Sequence, residues 1–232
     1  MPSSPPDIGV IIAAGGSGVR AGAGDPKQFR LIGGVPMLLC AIRPFASHPR
    51  VREIVVTLPK AALSAPPEWL SDLVGGNLSL VAGGDSRGAS VQNGFTALSA
   101  ACNGILVHDA ARPFPRRETV DTLIDRVSAG ECAIAAVPVS DTLKRAGGPD
   151  ARIVETVERT GLWRALTPQG FPRRALEEAY TAAGPAAVAA ATDESALVEQ
   201  AGWRVALVAD ATTNIKVTTP EDFLIAEALA TR

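Results

Sequence analysis

The sequence has few of the residues on which metal sites, disulfide frameworks and many catalytic centres depend. It contains three cysteines and two histidines among 232 residues. Cys40, Cys102 and Cys132 are far apart along the chain and form no C-x-x-C pair. This spacing argues against a zinc site and against a disulfide framework. It predicts reduced, buried cysteines and a cytoplasmic location.

Neither sign of charge predominates, since 22 Lys and Arg residues stand against 24 Asp and Glu residues. A general nucleic-acid binder carries a strong basic excess, so no nucleic-acid partner is expected. The longest uncharged stretch, residues 88–108, contains Gln92, Asn93 and Asn103 and is not expected to cross a membrane. Residues 1–7 lack the basic segment of a signal peptide, which again favours the cytoplasm.

Apolar β-rich runs alternate with helical stretches along the chain. The runs are almost continuously apolar, as expected of parallel strands that are covered on both faces. The pattern predicts a single α/β domain over residues 1–232, with a doubly wound, mostly parallel, Rossmann-like sheet. Strands are predicted at residues 8–14, 53–58, 78–81, 104–108 and 132–139. Helices are predicted at residues 36–46, 86–100, 117–129, 172–182, 192–200 and 220–229.

Three local interpretations accompany this pattern. Thr192 is predicted to cap the N-terminus of the fifth helix, and residues 181–191 to be the end of a helix followed by a flexible loop. Lys216 is predicted to lie in a β-like run. Residues 141–157 read as two short strands around a Gly-Gly-Pro-Asp turn, which predicts a projecting β-hairpin arm. Such an arm has no core of its own, so a partner subunit is expected to pack against it.

A glycine-rich loop follows the first predicted strand and contains Gly15, Gly16 and Gly18. Glycines let the backbone approach a ligand and present its N–H groups to a phosphate chain. The loop is not a Walker A motif, and it lacks the third glycine of a dinucleotide fingerprint. Arg20 and Lys27 lie seven positions apart, and two such cations suit a triphosphate whose leaving group gains charge.

Two further residues are candidates for chemistry. Asp109 ends the fourth predicted strand, where open α/β sheets bind ligands, and a carboxylate there is suited to Mg²⁺. Lys216 is an isolated cation just before the last helix. The case for a functional role of Lys216 depends mainly on the motifs taken together.

These motifs together resemble the 2-C-methyl-D-erythritol 4-phosphate cytidylyltransferase family of the non-mevalonate isoprenoid pathway. The matching blocks follow in order along almost the whole chain, and the Asp141 block and the Arg159–Gln169 block are the specific ones. Gly15 stands where the family usually has alanine, which is expected to loosen the loop while keeping its N–H. The matching blocks are residues 14–20, 26–28, 83–87, 90–91, 108–113, 141–144, 158–163, 167–169, 192–194, 214–218 and 220–222.

The resemblance implies transfer of a cytidylyl group from CTP to methylerythritol phosphate by a Mg²⁺-dependent homodimer with shared active sites. Arg20 and Lys27 would stabilise the transition state at the α-phosphate, and Asp109 would hold Mg²⁺. Lys216 and Thr167 would position the acceptor phosphate, with Lys216 counted among the catalytic cations. The implied nucleotide-binding residues are Ala14, Gly15, Gly16, Gly18, Gly84, Asp85, Ser90 and Arg112. Thr142 and Arg159 of the arm would bind the acceptor in the neighbouring subunit's site, Arg159 also serving catalysis.

Three other interpretations remain open at this point. A cytidylyltransferase for another polyol phosphate, such as ribitol 5-phosphate, would share the loop and the Asp-Ala-Ala-Arg block. A non-catalytic nucleotide sensor on the same fold would be expected to lose a cation or the metal-binding Asp, yet both are present. An NAD-dependent dehydrogenase is disfavoured by the missing third glycine.

Overall fold

In the computed structural model, residues 7–16 and 26–231 are described. A seven-stranded sheet forms the centre, in the order β11-β7-β10-β6-β1-β4-β5. Its strands are β1 (Ile8–Ala13), β4 (Val51–Leu58), β5 (Leu78–Ala82), β6 (Gly104–Asp109), β7 (Cys132–Pro138), β10 (Trp163–Pro172) and β11 (Val205–Ala209). Of these described strands only β10 runs antiparallel to its neighbours, so the predicted mostly parallel sheet is confirmed.

Helices cover both faces of this sheet. The helices are α1 (Met37–Ala46), α2 (Lys60–Ser64), α3 (Glu68–Ser71), α4 (Arg87–Ala97), α5 (Arg117–Ser128), α6 (Arg173–Ala190), α7 (Glu194–Gln200) and α8 (Pro220–Ala230). Side chains of α1 and α5 pack with one face of the strands, and side chains of α4, α6 and α7 pack with the other. Two apolar cores therefore hold the sheet between helical layers, which is the doubly wound arrangement.

A small third cluster supports the segment that carries Lys216. Val217 and Phe223 are buried there with Ile32 and Met37. The short strands β2 (Leu31–Ile32) and β3 (Val35–Pro36) pair with each other beside it. This cluster docks α8 near the carboxyl end of the sheet.

The arm forms a two-stranded antiparallel sheet of its own, made of β8 (Leu143–Gly147) and β9 (Arg152–Val157). Its apolar residues Ile153 and Val154 are each 67% exposed in the single chain. None of the helices within the described residues combines the length and apolar character that crossing a bilayer requires.

Three local predictions are wrong. Asp193, not Thr192, caps α7, because its side chain accepts from the Ala196 N–H. Residues 185–190 continue α6 as helix after a break at Gly184, whose φ of 73° no helix accommodates, and Pro185 is suited to restart it. Lys216 lies outside any strand. The sequence interpretation also missed β10 and β11.

Candidate functional site

A cavity of about 510 Å³ opens at the carboxyl edge of the sheet. Its walls come from the ends of β1 and β6, the start of α4 and the segment before α8. The predicted site residues that line it are Ala14, Gly15, Gly16, Lys27, Gly84, Asp85, Ser90, Asp109 and Lys216. The fold thus brings together residues from both ends of the chain. Gly18 and Arg20 lie outside the described residues.

The turn before α4 is held by Ser90, which is 2% exposed. The Ser90 hydroxyl accepts from the Gly84 N–H at 3.1 Å and donates to the Ser86 carbonyl at 2.8 Å. A Cβ added at Gly15 would lie 2.6 Å from Ser90 Oγ, so the two loops approach closely because Gly15 has none. Ser90 therefore shapes the cavity wall, and its hydroxyl hydrogen is already used there.

Asp109 is the charged centre of the cavity. Its Oδ1 accepts from Arg87 Nε at 2.9 Å and its Oδ2 from Lys216 Nζ at 2.7 Å. Burial favours the neutral acid, but Arg87 and Lys216 outweigh it and hold the carboxyl pKa of Asp109 well below its usual range. The side chain is therefore an ionised, oriented carboxylate at neutral pH.

Arg87 also binds Glu194, which is 0% exposed. Its Nη1 lies 3.1 Å from Glu194 Oε1 and 2.8 Å from Oε2. Burial opposes the charge of Arg87, yet Glu194 and Asp109 raise its pKa. Arg87 therefore remains a cation shared by two carboxylates.

His108 ties the Asp109 main chain to β10. Its Nε2 lies 2.9 Å from the Arg112 carbonyl, which can only accept, so Nε2 carries the proton. Nδ1 is then an acceptor, and the Thr167 hydroxyl donates to it at 3.0 Å. Thr167 Oγ1 in turn accepts from the Asp109 N–H at 3.0 Å. The hydroxyl hydrogen of Thr167 is thus committed to His108, and only a lone pair of Oγ1 remains for a ligand.

The segment around Lys216 is tied to both neighbouring loops. The Val217 N–H donates to the Ala111 carbonyl at 2.8 Å, and Lys27 Nζ donates to the Val217 carbonyl at 2.7 Å. Asn214 Nδ2 donates to the Thr167 carbonyl at 2.8 Å. These contacts bring Lys27 to the same short segment that carries Lys216.

A second cavity of about 260 Å³ adjoins the first and shares Arg87, Asp109 and Lys216 with it. Thr167 and Arg112 line this second cavity and not the first. Arg112 Nη1 donates to the Asn214 carbonyl at 2.8 Å. The structure therefore places Arg112 in the wall of the second cavity, beside the first.

Thr142 and Arg159 lie at the base of the arm, are exposed, and line neither cavity of this chain. Arg159 donates to the carbonyl of Ser140. The structure of one chain thus does not bring these two residues to the other predicted site residues.

The site contains residues to which sequence reasoning assigned no role, namely Arg87, Glu194, Gln169 and Asn214. All four fall inside blocks that match the family pattern. Their involvement depends on contacts between elements as much as 107 positions apart, which only the fold reveals. The signal in the sequence that could have pointed to these four residues is their position inside the matching blocks.

Similarity to known proteins agrees with this geometry. The family model described as 2-C-methyl-D-erythritol 4-phosphate cytidylyltransferase matches residues 8–232. The protein of that name from Salinibacter ruber is 42% identical over 96% of this chain and 92% of its own. A bifunctional enzyme IspD/IspF from Anaeromyxobacter dehalogenans is 44% identical over 94% of this chain, which spans only 56% of that relative.

Solved structures show the same likeness. The crystal structure of 2-C-methyl-D-erythritol 4-phosphate cytidylyltransferase from Thermus thermophilus superposes with a TM-score of 0.78 at 32% identity, covering 96% of this chain and 98% of that one. The 4-diphosphocytidyl-2C-methyl-D-erythritol synthase from Anaerococcus prevotii gives 0.79 at 28% identity, covering 97% and 98%. The chain belongs to the 2-C-methyl-D-erythritol 4-phosphate cytidylyltransferase family.

Proposed function

We propose that this chain transfers the cytidylyl group of CTP to 2-C-methyl-D-erythritol 4-phosphate, with the two adjoining cavities as donor and acceptor sites. The observation that carries the proposal is their shared wall. Arg87, Asp109 and Lys216 stand between a glycine-lined cavity and a smaller, cation-rich one. Two anionic substrates, one in each cavity, would approach each other at these charged side chains. The reaction would therefore take place at the shared wall.

The first cavity suits CTP. The N–H groups of Gly15 and Gly16 carry no side chain beside them and can face phosphate oxygens, as in other glycine-rich anion sites. The Ala14 N–H already donates to the Thr57 carbonyl at 3.1 Å. Gly84 and Asp85 would read the cytosine edge, with Ser90 holding their turn. Lys27, and Arg20 beyond the described residues, would neutralise charge at the α-phosphate as it becomes five-coordinate.

The second cavity suits the acceptor phosphate. Arg112 and Lys216 would orient it so that one phosphate oxygen attacks the α-phosphorus in line. That new P–O bond replaces the bond from the α-phosphorus to the bridging oxygen, and pyrophosphate leaves. The acceptor is already an anion, so the step needs alignment and charge neutralisation and no general base.

A divalent cation fits this donor set through Asp109. No group of three His, Cys, Asp or Glu side chains that could hold an ion alone occurs in residues 7–16 and 26–231. Mg²⁺ is commonly bound by one or two carboxylates plus substrate phosphates, and Asp109 supplies one ionised carboxylate. When bound, Mg²⁺ would offset charge that develops on the triphosphate.

The active unit in this proposal is a cytoplasmic homodimer. The arm carries Thr142 and Arg159 away from this chain's own cavities and exposes Ile153 and Val154. A partner subunit would cover these apolar side chains and receive Arg159 in its acceptor site. Arginine suits that role because its planar fork binds two phosphate oxygens at once.

The test is release of pyrophosphate from CTP and Mg²⁺ with methylerythritol phosphate or ribitol 5-phosphate as acceptor. Methylerythritol phosphate should be strongly preferred. Lys27→Met should lower turnover by about 100-fold, as for loss of one electrostatic stabiliser. Lys60→Met, at an exposed position on α2, is the matched control and should leave turnover unchanged. Preference for ribitol 5-phosphate, or full turnover in Lys27→Met, would contradict the proposal.

A further inference from the structure

Asp109 is held by two cations that differ in how firmly they are fixed. The Arg87 side chain is 22% exposed and the Lys216 side chain 43% exposed. Arg87 makes hydrogen bonds to both Asp109 and Glu194, whereas Lys216 reaches Asp109 from the cavity side. One oxygen of Asp109 therefore has a partner that is held by a second carboxylate, and the other has a partner that is more exposed.

Glu194 is the reason Arg87 cannot leave. It is 0% exposed, and both its oxygens lie within 3.1 Å of Arg87 Nη1. Burial raises the pKa of the Glu194 carboxyl, and Arg87 opposes that rise, so withdrawing Arg87 would leave a buried acid without its counter-charge, which is destabilising. Lys216 can move away at much smaller cost, because its ammonium can be solvated.

The backbone around Glu194 is fixed as well. The Gln169 amide donates to Asp193 Oδ2 at 3.1 Å and accepts from the Ser195 N–H at 3.3 Å. Asp193 caps α7, while Ser86 caps α4 directly before Arg87. Residues 192–195, which the family resemblance left without a role, thus form a base for the Arg87 side chain.

We infer that Arg87, anchored by Glu194, is the positioning residue that aims the Asp109 carboxylate, and that Asp109 exchanges Lys216 for the divalent cation at Oδ2. The inference rests on the proposed function. With Oδ1 held by Arg87, the carboxylate keeps its orientation when Oδ2 changes partner. The Lys216 ammonium is then released beside the second cavity, where the acceptor phosphate would lie. Donor binding would thereby prepare the acceptor site.

The alternative is that the Arg87–Glu194 pair only stabilises the fold. A buried ion pair replaced by apolar residues of similar volume is often neutral or stabilising. The double variant Arg87→Met with Glu194→Leu therefore separates the two roles. It removes the side chain that orients Asp109, and it leaves no unpaired charge in the interior. Its melting temperature reports the structural role, and metal binding reports the positioning role.

The experiment measures Mn²⁺ binding by electron paramagnetic resonance in the presence of the non-hydrolysable α,β-methylene analogue of CTP. The double variant should fold and bind Mn²⁺ about 10- to 100-fold more weakly than the parent, as for loss of a group that orients a metal ligand. Arg126→Met with Glu131→Leu, at an exposed ion pair on the protein surface, is the matched control and should bind like the parent.

Arg87→Lys keeps the proposal testable if the double variant does not fold. A lysine keeps the charge beside Glu194 but cannot span both carboxylates, so Mn²⁺ binding should again weaken. Lys216→Met should bind Mn²⁺ at least as tightly as the parent while losing turnover.

Parent-like Mn²⁺ binding in a folded Arg87 variant would overturn the positioning role. Weaker binding in Lys216→Met would overturn the exchange. These readouts need no turnover, so a parent that binds Mn²⁺ but makes no product would fail the proposed function alone.

Discussion

Among single residues, His108 and Asp109 are neighbours on β6, and at neutral pH Asp109 is charged while His108 is not. Asp109 is an ionised carboxylate between two cations. His108 is fully buried, and burial lowers its pKa to about 4, so the ring is neutral at pH 7. His108 packs against Phe45, with 5.2 Å between the ring centroids. Its two nitrogens also bind the Thr167 hydroxyl and the Arg112 carbonyl.

The low pKa of His108 predicts a loss of stability in acid. The unfolded chain takes up a proton near pH 6.5 and the folded chain only near pH 4, so unfolding binds protons between these values. The stabilisation is complete above pH 6.5 and is lost as the pH falls towards 4. At pH 4.5 the free energy of unfolding should be about 2 to 3 kcal/mol lower from this group alone.

Urea denaturation at pH 7 and pH 4.5 measures this effect. His108→Gln keeps one donor and one acceptor in its amide but does not titrate, so its stability should fall less between the two pH values. His48→Gln is the comparison variant, because His48 is also buried and pairs with Asp121 away from the site. An equal fall in the parent and in His108→Gln would contradict the prediction.

Among the elements, the apolar runs predicted five of the seven central strands within about two residues. Continuous apolar runs are typical of parallel strands. Four of the five lie inside the sheet, and β5 lies at its edge. Strand β10 was missed because Pro168 and Pro172 argue against a central strand. Its pairing with β7 is indeed irregular between Ala165 and Gln169, where the strand passes the site. No local pattern shows that a Pro-containing segment will be inserted between β6 and β7.

Helix α4 depends on a close approach to α6 at Gly88. A Cβ built there would lie 2.0 Å from the Val188 carbonyl oxygen, so backbone would have to move. Gly88→Ala should therefore destabilise the protein by about 1 to 3 kcal/mol, as for overpacking a filled interface. It should also weaken Mn²⁺ binding, because Arg87 precedes this position. Thr96→Ala, on the exposed side of the same helix, should change neither thermal stability nor Mn²⁺ binding.

At the scale of the whole molecule, the proposed dimer makes a prediction about mixed subunits. Lys27→Ala and Arg159→Ala should each be inactive alone. If Lys27 of one chain works with Arg159 of the other, each mixed dimer keeps one intact site, and activity should return when the variants exchange subunits. Native mass spectrometry would count the mixed dimers. Mixed dimers without recovered turnover would mean that Arg159 serves its own chain.

The sequence predicted the residues of the larger cavity better than the position of the arm residues. Gly15 and Gly16 of the glycine-rich loop lie around one cavity with Lys27, Asp109 and Lys216. Thr142 and Arg159 do not join them within one chain. In the proposed dimer they would reach the site of a second copy, which local patterns cannot place. Arg87 and Glu194 were missed for a related reason, since each finds its partner on a different element.

Strand β10 connects the base of the arm to the second cavity of the same chain. In the proposed dimer the arm serves the partner's site, whereas the second cavity belongs to this chain's own site. The strand begins at Trp163, beside the base of the arm, and a short way along carries Thr167 in the wall of the second cavity. That is a span of about 13 Å of extended chain. In the proposed dimer, a displacement of the arm by the partner would be transmitted along this strand to the second cavity. By thermodynamic linkage, any preference of the acceptor for the seated arm must strengthen subunit association by the same factor. A higher concentration of the acceptor would then shift the monomer–dimer equilibrium towards the dimer.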